Sequence, residues 1–117
     1  MRAEPIEDCA PLAAPVLSME EAAATARLFA ALGSAARVRL VNLLAGSEEP
    51  VCFCNLAEPV GLAPATVSEH LKKLVDAGLV RREERGKWAY YSIDDAAFER
   101  VVALADLPRG SRARRAA

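Results

Sequence analysis

Three sulfur atoms are the most reactive side chains in this 117-residue sequence: Cys9, and the pair Cys52 and Cys54 within PVCFCNLAEPVG, residues 50–61. Thiolates bind soft, thiophilic ions, so two of them one residue apart are a candidate grip for such an ion. In a regular helix, residues two apart diverge by about 200° and share nothing. With Cys52 as an N-cap and Cys54 as the second helical residue, the cap side chain folds over the first turn and the two thiols converge. Unpaired N–H groups and the positive end of a helix dipole at that place favour thiolate and predict a lowered thiol pKa. The competing chemistry is redox: Cys52 with Cys54, or either with Cys9, closing a disulfide under oxidation, although cysteines two apart close a strained small ring. Catalysis is excluded on other grounds. The chain has no Cys-X-X-Cys, no Gly-rich phosphate loop and no nucleophile, base and orienting residue in register, so it reads as a non-enzyme.

The length suits one ordinary domain, or a dimer sharing one core. Apolar residues make up 53% of the chain, which argues against disorder, and no uninterrupted apolar run approaches the roughly 20 residues needed to cross a bilayer. The start, MRAEPIEDCAPLAAP, lacks the basic and apolar regions of a secretion signal, and an odd cysteine count fits a reducing compartment. The expectation is a soluble cytoplasmic protein with no membrane partner. Net charge is −1, which by itself predicts no affinity for nucleic acid, but the charge is unevenly spread. Residues 1–21 hold Glu4, Glu7, Asp8, Glu20 and Glu21 against Arg2, whereas residues 109–115 hold four arginines and no acid. Residues 1–18 therefore read as a mobile arm carrying Cys9, residues 19–107 as the folded domain, and residues 108–117 as a basic, disordered tail.

Within 19–107 the pattern is mainly helical. Residues 19–32 bring Ala23, Ala26, Leu28, Phe29 and Leu32 together at helical spacing behind an N-cap at Ser18. Ser34 caps a second helix with Val38, Leu40, Val41 and Leu44 on its apolar face and Gly46 at its end. A short helix is expected to run from Cys52 to Gly61, weakened at Pro59, which cannot donate to the Asn55 carbonyl. A longer helix then opens on Pro64, turns Val67, Leu71, Leu74 and Val75 inward, and leaves Thr66, Ser68, Glu69, His70, Lys72 and Lys73 outward. Two helices joined by a tight Gly-containing turn have the layout of a helix-turn-helix.

After Gly78, the run LVRREERGKWAYYSI reads as a β-hairpin with a basic tip, Glu84-Arg85-Gly86-Lys87. Such a wing can lay Arg81, Arg82, Arg85 and Lys87 along phosphates while the preceding helix enters the major groove. Trp88, Tyr90 and Tyr91 read as packing within the hairpin. Residues 94–107 form a last helix with Phe98, Val101, Val102 and Ala105 on one face. That helix and helix 19–32 exceed what so small a core can cover, so both are assigned to a homodimer interface. The fold class is α+β, mainly α: a dimeric winged helix-turn-helix of about five helices plus a β-hairpin wing.

From about Ala24 to Ile93 the sequence resembles the ArsR/SmtB family of winged-helix metal-sensing repressors. LFAALGSAARVRLVNLL, VCFCNLAEPVGLAPATVSEHLKKLVDAGLV and RGKWAYYSI carry the likeness. The Cys-X-Cys pair before the helix-turn-helix looks most like the arsenic-responsive members. The resemblance implies a dimer that binds operator double-stranded DNA without metal and releases it when arsenite, or antimonite, binds thiolates. Arsenite favours three thiolates in a pyramid, so Cys9 is expected to join Cys52 and Cys54. Cadmium or lead, which are also thiophilic, is the alternative inducer. The implied DNA contacts are Thr66, Ser68, Glu69, His70, Lys72, Lys73, Arg81, Arg85 and Lys87. Ala63, Pro64 and Ala65 stand where the family often has a polar residue, which shifts the expected base readout to Thr66, Ser68 and His70. The last helix has Asp94, Asp95, Glu99 and Asp106 but no histidine, so the family's interfacial zinc site is not expected.

Overall fold

Ser18 starts the first helix by a reciprocal exchange with Glu21. Its Oγ accepts from the Glu21 N–H at 3.1 Å, and the Glu21 carboxylate accepts from the Ser18 N–H at 2.9 Å. Two donors without helical partners are thereby satisfied, a device worth about 1 kcal/mol. The computed structural model describes residues 16–106; the expected arm and tail, including Cys9, lie outside them. The elements in order are α1 (Met19–Ala31), α2 (Ala35–Ala45), β1 (Val51–Cys52), a 3₁₀ turn (Phe53–Asn55), α3 (Ala57–Val60), α4 (Pro64–Asp76), β2 (Val80–Arg85), β3 (Trp88–Ile93) and α5 (Asp95–Ala105). Among the described residues no single helix is long and apolar enough to cross a membrane.

The three strands form an antiparallel sheet in the order β1-β3-β2, so the wing's second strand is its centre. Val51 lies opposite Tyr91 and Cys52 opposite Tyr90, while β2 pairs along its length from Val80↔Ile93 to Arg85↔Trp88. Gly86 and Lys87 alone make the wing turn. Positive φ is needed at its first position only, and Gly86 supplies it at 64°. Leu28, Leu40, Leu44, Leu56, Val67, Leu71, Leu74 and Leu79 fill the core with Tyr91, each large side chain contributing about 1.5–3 kcal/mol of burial.

Three expectations are corrected here. Val38 is 48% exposed: it stands about 200° around α2 from the fully buried Leu40, and Leu40, Val41 and Leu44 carry the inward face. The helix expected to run on from Cys52 is interrupted. Cys52 takes extended backbone angles (φ −64°, ψ 138°) in the sheet, Leu56 N–H closes a 3₁₀ turn on the Phe53 carbonyl at 3.0 Å, and α3 begins anew at Ala57. Pro59 then sits in the first turn of a separate helix, where its missing N–H forfeits no hydrogen bond. The expected weakness at Pro59 is absent.

Helix α1 packs against α5, yet α5 has no fully buried residue. Phe98 and Val101 lean on the core, whereas Val102 and Leu104 on α5 and Met19 and Phe29 on α1 stay exposed. The first helix likewise turns only Thr25 and Leu28 fully inward, leaving Ala23 and Ala26 on its outer side.

The link from α3 to α4 depends on Gly61, which has φ 70° and closes α3 with N–H bonds to the Ala57 and Glu58 carbonyls. An added Cβ there would meet nothing within 4 Å, so the cost of a side chain is purely conformational. Gly61→Ala is expected to lower the unfolding free energy by about 1–2 kcal/mol, and Gly61→Asn by less, in urea titrations at one fixed protein concentration.

Candidate thiol site and nucleic-acid face

Cys52 is at once the last residue of β1 and the N-cap of the 3₁₀ turn. Its Sγ accepts from the Cys54 N–H at 3.4 Å, and the Cys54 thiol donates to it with the two sulfurs 2.6 Å apart. The expected cap arrangement is therefore present, although the turn it caps is 3₁₀ and only three residues long. Cys52 is buried and Cys54 exposed, and neither is in a disulfide. One sulfur is fixed by the sheet; the other rests against it on the exposed side.

The expected lowering of the thiol pKa does not occur at Cys54. Its thiol is held above the usual range, first because the hydrogen bond it donates to Cys52 stabilises the protonated form, then through burial and the charge of the neighbouring sulfur. A helix dipole could oppose this only if it were long. The turn has three residues and α3 four, so few aligned peptide units stand behind Cys54.

An open hollow beside Cys52 is walled by Ser47, Glu48, Glu49, Asn55 and Tyr90. Its carboxylates do not complete a cage, because among the described residues no three His, Cys, Asp or Glu side chains converge as metal ligands. The donor set on the described residues is two soft sulfurs, which suits a thiophilic ion better than a hard one.

The outward residues of α4 divide into two stripes. Ser68 and Lys72 lie toward the wing, where they border a notch with Val75, Arg82 and Tyr91; Thr66, Glu69 and Lys73 are exposed on the remaining outer surface. His70 is half-buried, and Arg37 on α2 reaches its Nδ1 at 3.1 Å while donating from Nε to the Ala31 carbonyl at 2.6 Å. A guanidinium only donates, so Nδ1 accepts and the proton of the neutral ring is on Nε2. Arg39 forks across the Val60 and Pro59 carbonyls at 3.0 Å each, tying α2 to the end of α3. Neither arginine was singled out by the sequence pattern, since both sit on α2 and find partners far along the chain.

Directly opposed residues in an antiparallel sheet share a face. Arg82 and Tyr91 therefore turn toward α4, whereas Arg81, Arg85, Tyr90 and Cys52 are on the other face. There Arg81 pairs with Asp94 at 3.3 Å, and Arg85 pairs with Glu83 at 3.3 Å while lying 4.6 Å over the Tyr90 ring. Asp94 also caps α5 through the Ala97 N–H. Lys87 stands in the wing turn beside Trp88, which is 52% exposed. Two-residue alternation counted from the buried Val80 was the signal that would have separated Arg82 from its neighbours.

Residues 34–82 match the sequence profile of the bacterial regulatory protein, arsR family. A putative arsenical resistance operon repressor of Halobacterium salinarum is 33% identical over 81 residues, covering 69% of this chain and 68% of its own. The homodimeric winged helix-turn-helix DNA-binding domain of a possible ArsR-family regulator from Mycobacterium bovis superposes with a TM-score of 0.61 at 28% identity, over 76% of this chain and 85% of that one. The AntR antimony-specific transcriptional repressor does so with a TM-score of 0.64 at 29% identity, over 80% and 85%. With its helix-turn-helix, its wing and this shared sequence, the chain belongs to the arsR family of bacterial transcriptional regulators.

Proposed function

We propose that this regulator holds operator DNA as a homodimer and releases it when arsenite or antimonite gathers Cys52 and Cys54, with Cys9 as the third sulfur. The observation that carries this reading is the cap at Cys52, which brings the two sulfurs to 2.6 Å on a strand hydrogen-bonded to the wing. The arsenical and antimony repressors among its relatives support the choice of ion. DNA binding rests on α4 and the wing, through Thr66, Ser68, Glu69, His70, Lys72, Lys73, Arg81, Arg85 and Lys87. The dimer forms through α1 and α5, whose exposed Met19, Phe29, Val102 and Leu104 are otherwise uncovered apolar surface, and the Mycobacterium bovis relative is homodimeric.

The chemistry needs no oxidant. Arsenite at neutral pH is arsenous acid, and each S–H that reacts replaces one As–OH by As–S and releases a water. Bonding both sulfurs to one arsenic fixes their separation and direction, so loading repositions Cys54 against Cys52. Exposed Cys54 rotates easily, whereas Cys52 is anchored opposite Tyr90 and transmits the change into the central wing strand. Helix α4 feels it separately, through α3 and the Gly61 turn. A coupling of about 1–3 kcal/mol changes DNA occupancy about 5- to 150-fold.

Release is measured with a fluorescent duplex selected from a random library by the unaltered protein. Arsenite is expected to free it, and Cys52→Ser or Cys54→Ser to raise the required concentration by at least about tenfold. Cys9→Ser is expected to weaken the response as well, and a duplex that stays bound at saturating arsenite would show the release mechanism to be wrong.

Proton uptake gives an independent check. Cys54 is held protonated above the usual thiol range, so arsenous acid reacting with S–H neither takes up nor releases protons there, and its affinity is expected to stay flat from about pH 6 to 8. Cadmium must displace each thiol proton, and its affinity is expected to rise by up to about tenfold per pH unit for each one. Titration calorimetry in two buffers of different ionisation enthalpy counts the protons. Arsenite affinity falling as pH rises would mean that the thiols were already ionised.

A further inference from the structure

Helix α4 and the wing do not meet flush. Between them is a notch of about 210 Å³ bordered by Ser68, Lys72, Val75, Arg82 and Tyr91. Ser68 and Lys72 are one helical turn apart on α4 and so present their side chains on one stripe. Arg82 and Tyr91 are directly opposed across β2 and β3 and share the sheet face turned to that stripe. Two cations and two hydroxyls from two separate elements thus border one small concavity.

Tyr91 supplies a second, independent indication. Its side chain is buried, with 6% of its surface exposed, yet it borders the notch. Among the described residues no side-chain hydrogen bond engages its hydroxyl, and no polar atom sealed from solvent lacks a partner. The hydroxyl is therefore open to solvent, and the notch is the concavity that its residue borders. The cations are held only lightly on their far sides: Lys72 by Asp76 at 3.2 Å and Arg82 by Glu84 at 3.7 Å, all four side chains being well exposed. Exposed pairs of this kind contribute about 0–1 kcal/mol, so either cation can turn to a new anion at little cost.

The geometry points to a binding site for one DNA backbone phosphate, gripped between the recognition helix and the wing by Lys72, Arg82, Ser68 and the Tyr91 hydroxyl. This rests on the DNA-binding reading above; it adds Tyr91 to it and joins Arg82, already read as a wing residue facing phosphates, to Ser68 and Lys72 at one phosphate. A phosphate here would fix the angle between α4 and the wing, because its donors come from both; it would set register on the duplex without reading a base. Cations and hydroxyl donors with no acid among the lining residues call for an anion, and on the DNA-binding reading the anion that lies against α4 and the wing is a backbone phosphodiester.

The test uses the full chain and the same library-selected duplex. Lys72→Gln and Arg82→Gln are each expected to reduce the slope of log affinity against log salt by about 1, and the double variant by about 2. Tyr91→Phe, which keeps the packing volume, is expected to weaken binding about tenfold. Replacing backbone phosphates one at a time by neutral methylphosphonate should reveal one position at which the unaltered protein loses affinity and the Lys72→Gln, Arg82→Gln double variant loses no more. A merely structural role for these residues would not produce that match. Unchanged salt slopes, or no position at which the two losses coincide, would overturn the phosphate site while leaving DNA binding intact. Failure of the unaltered protein to select any duplex would instead overturn the DNA-binding reading, and the notch with it.

Discussion

The shortest element among the described residues constrains the rest. Two residues, Val51 and Cys52, add a third strand to the wing by pairing with Tyr91 and Tyr90. That pairing forces Cys52 into extended backbone, and extended backbone is what an N-cap requires. The cap in turn brings Cys54 back over Cys52, so the convergence of two sulfurs is a consequence of sheet hydrogen bonding rather than of helix geometry. The same contact makes β3 the central strand and seats Val51 beside the core. Without it the two thiols would lie in an ordinary loop, and the hairpin would be a two-stranded ribbon attached to the domain chiefly at its base.

Because β3 is central, its two faces face different parts of the protein. Tyr91 looks toward the core and α4 with Arg82 across from it, while Tyr90 looks toward Cys52 on one side and Glu83 on the other. A single strand thus separates the face that carries Cys52 from the face that carries Arg82, and the pleat alternates them residue by residue. Strands packed between neighbours do not bend freely. Cys52 and Val51 pair with Tyr90 and Tyr91, adjacent residues whose side chains turn to opposite faces.

How much of this was legible in the sequence follows from the range of the interactions involved. Capping is local, so Ser18 and Ser34 could be placed from neighbouring residues, and the strong amphipathic pattern of α4 gave Val67, Leu71 and Leu74 as its buried face. The cap at Cys52 was also local. What escaped was long-range. A two-residue strand has no periodicity to detect, and its partner lies about forty residues on, so β1 read as the start of a helix and Pro59 as a flaw in it. At Cys54 the thiol pKa is raised instead, first by the hydrogen bond to Cys52, and the expected helix dipole was borrowed from a helix that β1 and the 3₁₀ turn had already cut short. Arg37 and His70 could not be joined in advance either, because their contact spans 33 positions and neither has an apolar pattern to announce it.

The bond between Arg37 and His70 also changes what the recognition helix presents. A free histidine samples two tautomers and can offer either nitrogen to a base edge, whereas one that accepts from a guanidinium at Nδ1 keeps its proton on Nε2 and presents a single donor. The side chain loses rotational freedom on α4 before any duplex arrives, which reduces the entropy still to be lost on binding. The guanidinium is itself fixed by the Ala31 carbonyl at the end of α1, so the orientation of His70 is set by the first helix through the second. Rearrangement where α1 meets its neighbours would therefore reach the recognition helix by a route separate from β1. Two elements distant in sequence, the β1 strand and the end of α1, bear on the DNA face through hydrogen bonds of fixed direction, and the alignment of α4 against the wing has to satisfy both.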